Sequence, residues 1–181
     1  MDILLFSERS IWTMIHGIAL GGGALLTSFA MLFFLIALRI SGDEAGTQLS
    51  RETRWFTWLA VANVVLLWLA VIIGTYVTFP PYRATPPEGI TDLSAYPRAL
   101  IRSNPATAWL HSFAMETKEH VPWLAAIIAT PVAFVSMRYG SRILSDTSLR
   151  SIATTLTGVC VVLVAVATIL GTLVNKVAPL H

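Results

Sequence analysis

The chain has 181 residues, of which 55 % are hydrophobic and only 12 % are charged. Soluble globular domains carry roughly 25 % charged residues, so this composition excludes a soluble protein and indicates an integral membrane protein. The net charge of +2 is small and dispersed along the chain, which argues against nucleic acid as a partner. We therefore expect a single transmembrane domain over residues 1–181, surrounded by the lipid bilayer.

Four apolar stretches are long enough to cross a bilayer, for which about 20 residues suffice. They predict an all-α membrane protein, namely a four-transmembrane-helix bundle. The first two spans are expected at about 11–38 and 55–79. The second is expected to end before Pro80 and Pro81, because proline breaks the interior of a helix. The last two spans are expected at about 105–139 and 151–174.

The third span is predicted to begin outside the hydrocarbon. Asn104 and Pro105 are typical of a helix start, but a charged segment from Glu116 to His120 precedes the apolar run. A helix over 105–139 would measure about 50 Å, whereas the hydrocarbon layer is about 30 Å thick. Its first half is therefore expected to be extramembrane, joined to the second span by an outer loop at 80–104.

The orientation is predicted from basic residues in the loops. Short loops rich in arginine tend to stay in the cytoplasm. Six arginines lie in the loops after the first and third spans, whereas the second loop and the termini hold five basic residues. Both termini are therefore expected on the outer, periplasmic (extracytoplasmic) side of a bacterial-type inner membrane. The six arginines are Arg39, Arg51, Arg54, Arg138, Arg142 and Arg150.

His16 lies inside the first apolar span. An ionisable residue within the membrane is costly, and is a candidate functional residue by default. Ala19 and Gly23 follow it at helical spacing and carry no bulky side chain, so a flat cofactor such as haem is expected to bind along that face. The alternative is that these small residues allow two helices to pack closely, with His16 bonded to a neighbouring backbone.

His120 begins the apolar part of the third helix, at a depth similar to that of His16. Two imidazoles from facing helices can bind the iron of a b-type haem, so His16 and His120 are the predicted axial ligands. Glu116 lies one helical turn earlier and is expected to orient the other ring nitrogen of His120. The alternative is that Glu116, Lys118 and His120 form a solvated turn at the membrane interface.

Four further residues are candidates for cofactor binding. His111 lies nine residues before His120 and hence on the opposite helix face, where it is either a ligand of a second haem or a surface residue. Arg83, in the outer loop, is the first candidate to bind haem propionates, because guanidinium forms two parallel hydrogen bonds with a carboxylate. Arg98 and Arg102 are candidates for the same role, with lipid phosphate as the alternative partner.

Four spans with histidines on facing helices near one face resemble, in arrangement, the membrane four-helix b-type cytochromes. The resemblance implies an electron-transfer subunit with one haem b, rather than a stand-alone enzyme. Electrons would pass between quinol and a redox partner at the outer face, within a complex of membrane subunits. Two alternatives stay open: a cofactor-free scaffold subunit, and a non-haem metal enzyme that uses His16, Glu116 and His120 as ligands.

Overall fold

The computed structural model describes residues 7–38 and 45–179. Within those ranges the secondary structure is helical, joined by turns and loops without a β-strand, and four helices are long and apolar enough to cross a membrane. The prediction of an all-α protein with four such helices is therefore confirmed. Arg39 and His181 lie outside the described residues. The helices in chain order are α1 (Glu8–Ala37), α2 (Gly46–Arg83), α3 (Pro97–Ser103), α4 (Leu110–Tyr139), α5 (Arg142–Ser145) and α6 (Thr147–Val177).

Three of the long helices contain a π-helical segment. These segments are Ile15–Gly22 in α1, Gly74–Thr78 in α2 and Leu110–Met115 at the start of α4. A π-helix bonds each residue to the fifth along the chain, and such segments are rare and frequent at functional sites. Because successive long helices run antiparallel, all three segments lie at one end of the bundle. We call this the π end.

Helix α2 extends beyond the predicted span at both ends. It begins at Gly46, inside the polar linker, because polar residues can continue a helix past the edge of the apolar run. It also passes through Pro80 and Pro81 to Arg83, so the prediction that the helix stops before these prolines was wrong. The π segment ends at Thr78, and the prolines occupy the first turn of the next α-helical segment. Proline is tolerated there because its missing N–H would have no helical partner.

Helix α4 begins later than predicted. The Asn104 side chain accepts a hydrogen bond from the Ala106 N–H at 2.9 Å, which closes a turn before the helix. The helix itself begins at Leu110 and has 30 residues. This corresponds to about 45 Å, which still exceeds the hydrocarbon thickness. The outer loop is largely ordered by α3, whose Pro97 and Ile101 are buried.

Small side chains allow the four long helices to pack closely near the middle of the bundle. Ala24 of α1, Leu67 of α2, Ala125 of α4 and Cys160 of α6 belong to one buried cluster. Close approach through small residues is typical of helices in membranes. Large apolar side chains cover the outside instead, as expected for a surface in contact with lipid; they include Ile18, Leu26, Phe29, Phe33, Ile36, Trp58, Ile127 and Phe134.

Polar contacts also join the helices. The amide nitrogen of Asn63 in α2 lies 3.0 Å from the Ala24 carbonyl and 2.7 Å from the Ser28 hydroxyl, both in α1. At the end opposite the π end, the Arg150 guanidinium of α6 donates hydrogen bonds to the Leu35 and Leu38 carbonyls. These carbonyls end α1 and have no partner within their own helix. Both contacts determine how α1 is placed against its neighbours.

Candidate functional site

A cavity of about 620 Å³ lies at the π end, between all four long helices. Its volume falls within the range of roughly 300–1,000 Å³ that is typical of small-molecule and cofactor sites. Most of its wall is apolar, with a few polar groups at intervals. The polar side chains that line it are Thr13, His16, Thr75, Lys118, Glu119, His120, Thr168, Thr172 and Asn175.

The His16 ring lies directly against Gly74 of α2. A Cβ atom added to Gly74 would be 2.7 Å from His16 Cε1, so no larger residue fits there without moving the ring. The His16 Nδ1 atom is buried and has no hydrogen-bond partner among the described residues. The ring also interacts with the main chain of Ala70 in α2. Because His16 lines the cavity, a group bound there would lie next to this ring.

His120 lines the same cavity from α4. Its Nδ1 lies 2.8 Å from the carbonyl oxygen of Glu116. Because a carbonyl only accepts, Nδ1 carries the proton, and the lone pair of Nε2 stays available in the neutral ring. Histidines that bind metals usually have this arrangement, with the second nitrogen hydrogen-bonded to a fixed acceptor.

The role predicted for the Glu116 side chain was wrong in its detail. The main-chain carbonyl of Glu116 orients the His120 ring, whereas its carboxylate is exposed and does not line the cavity. The i, i+4 spacing brings both the carbonyl and the side chain of Glu116 near His120. The carbonyl already points along the helix axis toward residue 120, so it forms the contact without fixing a side chain.

Lys118 is a cavity residue that the sequence did not single out as a ligand group. Its side chain lies along Gly171 of α6, where an added Cβ would be 2.8 Å from the Nζ atom. Within the part of the chain that the structure describes, no carboxylate lies within 4.0 Å of that ammonium. A cation without a counter-ion in an apolar cavity is unfavourable unless a ligand supplies the negative charge. The contact with Gly171 joins distant segments, so no local signal reveals it.

The small residues predicted beside His16 do not line the cavity. Gly23 faces α2, where an added Cβ would be 3.3 Å from Leu66 Cδ1, and Ala19 is exposed on another face. Gly17 and Gly21 take their place in the cavity wall. The prediction assumed an α-helix, whereas the π-helical segment brings the fifth residue after His16 into register with it.

His111 and Arg83 lie at the same end of the bundle but outside this cavity. The His111 Nδ1 atom is 3.1 Å from the Tyr82 hydroxyl, and this contact joins α4 to the end of α2. The Arg83 guanidinium lies over the Phe79 ring, 5.4 Å from its centroid, and lines a separate pocket. The structure therefore brings His16 and His120 to one cavity, without His111 or Arg83.

No three-ligand metal site forms within residues 7–38 and 45–179. No group of three or more His, Cys, Asp or Glu side chains there is arranged to hold a metal ion. The set of His16, Glu116 and His120 is thus not assembled as the non-haem alternative requires. The cavity instead brings together two imidazoles, the Lys118 side chain and space beside glycines. Imidazole is a common ligand of haem iron, so the donor types present are compatible with that group.

Comparison with known proteins adds no family to these observations. No family model matches the chain, and neither the curated proteins nor the solved structures contain a significant match. Function is therefore inferred from the cavity and its side chains alone.

Proposed function

We propose that this protein is a b-type haem-binding electron-transfer subunit, with His16 and His120 as the axial ligands of one haem b. The observation that carries the proposal is that both histidines line one cavity, where the Glu116 carbonyl orients the His120 ring. They come from different helices of the bundle, as ligands on the two sides of a haem must. The cavity volume of about 620 Å³ is suited to such a group.

The protein would supply position and charge for such a group. Gly74 leaves space for the His16 ring, and Gly17 and Gly21 leave the adjoining wall without side chains. Lys118 would provide the positive charge that a propionate needs in an apolar site. A bound haem b supplies one-electron redox chemistry, and the polarity of its surroundings tunes its potential. The His16 side chain is partly buried, whereas the His120 side chain is exposed.

The proposed orientation indicates the side of the membrane on which electron transfer would take place. The loops opposite the π end carry more arginines, which favours the cytoplasm for that end and the outer face for the cavity. We infer that electrons pass between quinol, which is soluble in the bilayer, and a redox partner at the outer face of a bacterial inner membrane. The protein would act with partner subunits rather than as an enzyme by itself.

The visible spectrum of the purified protein tests this proposal. The protein is produced in membranes with haem precursor supplied, solubilised in mild detergent, and measured in its oxidised and reduced forms. We expect a Soret band, sharp bands of low-spin reduced haem, and one haem per chain. His16→Ala and His120→Ala should each abolish the low-spin spectrum, because one axial ligand is lost.

His111→Ala is the matched control. It removes a histidine from the same end of the bundle that does not line the cavity, so the low-spin spectrum should persist. An unchanged spectrum in both the His16 and His120 variants would show that other residues hold the haem. A wild-type protein that binds no haem under these conditions, yet co-purifies with partner subunits, would support the scaffold alternative instead.

A further inference from the structure

Three arginines meet in a second pocket at the π end. This pocket has a volume of about 370 Å³ and is lined by Arg83, Arg98 and Arg102 among others. It shares no lining residue with the histidine cavity. We call it the arginine pocket. The pocket is built from the last turn of α2, the residues that follow it and α3.

The local fold fixes where these arginines point. Arg98 and Arg102 are four residues apart in α3 and therefore lie on one face of that helix. Pro97 and Ile101 on the neighbouring face pack against the rest of the protein, and Ile101 is 0 % exposed. Arg83 is held by its guanidinium contact with the Phe79 ring. The helical backbone of α3 and the contact of Arg83 with Phe79 thus bring the three arginines to the same pocket.

The positive charge in this pocket is not neutralised within residues 7–38 and 45–179. None of the three arginines has a carboxylate within 4.0 Å there. Glu119 interacts with Arg83 and Arg98 only through longer-range electrostatics. Like charges one turn apart destabilise a helix, so the arrangement costs free energy unless an anion is bound.

The hydrogen-bonding capacity of Arg98 is not used up within the protein. Its Nε atom is buried and has no hydrogen-bond partner among the described residues. An oxyanion between the three arginines that line the pocket would accept hydrogen bonds from their guanidinium groups and balance their charge, because guanidinium matches the oxygens of phosphate and carboxylate.

We propose that the arginine pocket binds a phosphate-type oxyanion. Two sources have this chemistry: the headgroup phosphate of an anionic phospholipid, and free inorganic phosphate. The pocket lies where α2 ends and the chain leaves the apolar span, a position at which lipid headgroups are within reach.

The lipid arm of the test uses native mass spectrometry of detergent-solubilised protein mixed with phosphatidylglycerol or phosphatidylcholine. The wild type should retain phosphatidylglycerol about tenfold more than phosphatidylcholine, as expected for charged hydrogen bonds. The double variant Arg98→Gln/Arg102→Gln should lose that preference. The matched control Arg138→Gln/Arg142→Gln removes two exposed arginines at the opposite end, and should retain it.

The phosphate arm measures the thermal unfolding midpoint during titration with inorganic phosphate, against chloride at equal ionic strength. A rise in the wild type that disappears in Arg98→Gln/Arg102→Gln, without a lipid preference, identifies free phosphate as the ligand. A response in neither arm, or one that persists in this variant, overturns the proposal. If the glutamine variant does not fold, Arg98→Lys/Arg102→Lys keeps the charge without the guanidinium geometry. Binding that is undiminished in this lysine variant also overturns the proposal.

The haem spectrum separates this site from the proposed haem site. Because the two pockets share no lining residue, Arg98→Gln/Arg102→Gln should leave the low-spin spectrum unchanged. Loss of that spectrum would show that these arginines hold the haem propionates, and would overturn the assignment of a separate oxyanion site. Failure of His16→Ala to alter the spectrum would instead count against the haem proposal alone.

Discussion

At the scale of single residues, Gly74 is as important to the cavity as the histidine it supports. His16 can place its ring between α1 and α2 only because α2 has no side chain at that position. The ring then buries Nδ1. Gly74 lines the same cavity, so the space that it leaves determines where the ring of this candidate ligand lies.

Gly74→Ala should weaken haem binding without unfolding the protein. The added Cβ would lie 2.7 Å from His16 Cε1, and the ring must leave its favoured rotamer. A displaced side chain of this kind costs on the order of 1 kcal/mol, so we expect up to about a tenfold loss of affinity. Haem titration of the apoprotein, followed by the Soret absorbance, measures this change.

Gly158→Ala is the control for this substitution. Gly158 also lies in a long helix, but an added Cβ would be 3.9 Å from Leu32 Cδ1, which is an ordinary contact. Its haem affinity should equal that of the wild type. Equal affinities in both variants would mean that the position of the His16 ring does not matter for binding.

At the scale of helices, the π-helical segments determine which residues face the cavity. Three of them meet at one end, and each contributes cavity residues: Gly21, Gly74 and Met115 are examples. Each segment widens its helix locally and changes the register of the residues that follow. A prediction based on a regular α-helix therefore chose Ala19 and Gly23 as the small neighbours of His16, whereas Gly17 and Gly21 line the cavity with it.

Asn63 of α2 forms side-chain hydrogen bonds that help to hold α1 in register. Asn63 is 2 % exposed, and its amide reaches both a carbonyl and a hydroxyl of α1. Asn63→Leu should lower the free energy of unfolding by about 1–2 kcal/mol, given typical hydrogen-bond energies between membrane helices. Thermal or denaturant unfolding in detergent measures this loss.

Ser50→Ala is the corresponding control in α2. Among the described residues, the Ser50 hydroxyl bonds only the Gly46 carbonyl of its own helix, in an exposed position. Its removal should leave the stability unchanged within experimental error. If Asn63→Leu proved as stable as Ser50→Ala, the contact with α1 would contribute nothing to holding the helices together.

At the scale of the whole molecule, the bundle has two different ends. The π end contains the histidine cavity and the arginine pocket, and the opposite end contains short, arginine-rich connections. Basic residues in short loops predict that the opposite end faces the cytoplasm. In that predicted orientation, both pockets would lie on the outer side of the membrane.

Labelling of single cysteines with a membrane-impermeant maleimide on intact cells tests the orientation. The background variant is Cys160→Ala, which removes the protein's one cysteine. Ser94→Cys, in the exposed outer loop, should react, whereas Ser141→Cys, exposed at the opposite end, should react only after the cells are opened. The reverse pattern would place the cavity on the cytoplasmic side and contradict the proposed outer redox partner.

The amino-acid sequence by itself determined the number of spans, their approximate positions and two histidines worth testing. These features depend on local hydrophobicity and on the cost of an ionisable group in a membrane, both of which are read directly from residue types. The sequence did not reveal that α2 continues through Pro80 and Pro81, because that depends on the π segment before them.

Only the tertiary structure decided how the site is assembled. It separated Arg83 and His111 from the histidine cavity and brought Lys118 into the cavity against Gly171. It also brought Arg83 to the two arginines of α3. The physical reason is that each of these contacts or pockets depends on how residues of different helices are packed. The local sequence does not predict the register of two helices or the space that a glycine leaves on a facing helix. It also does not predict which loops come together.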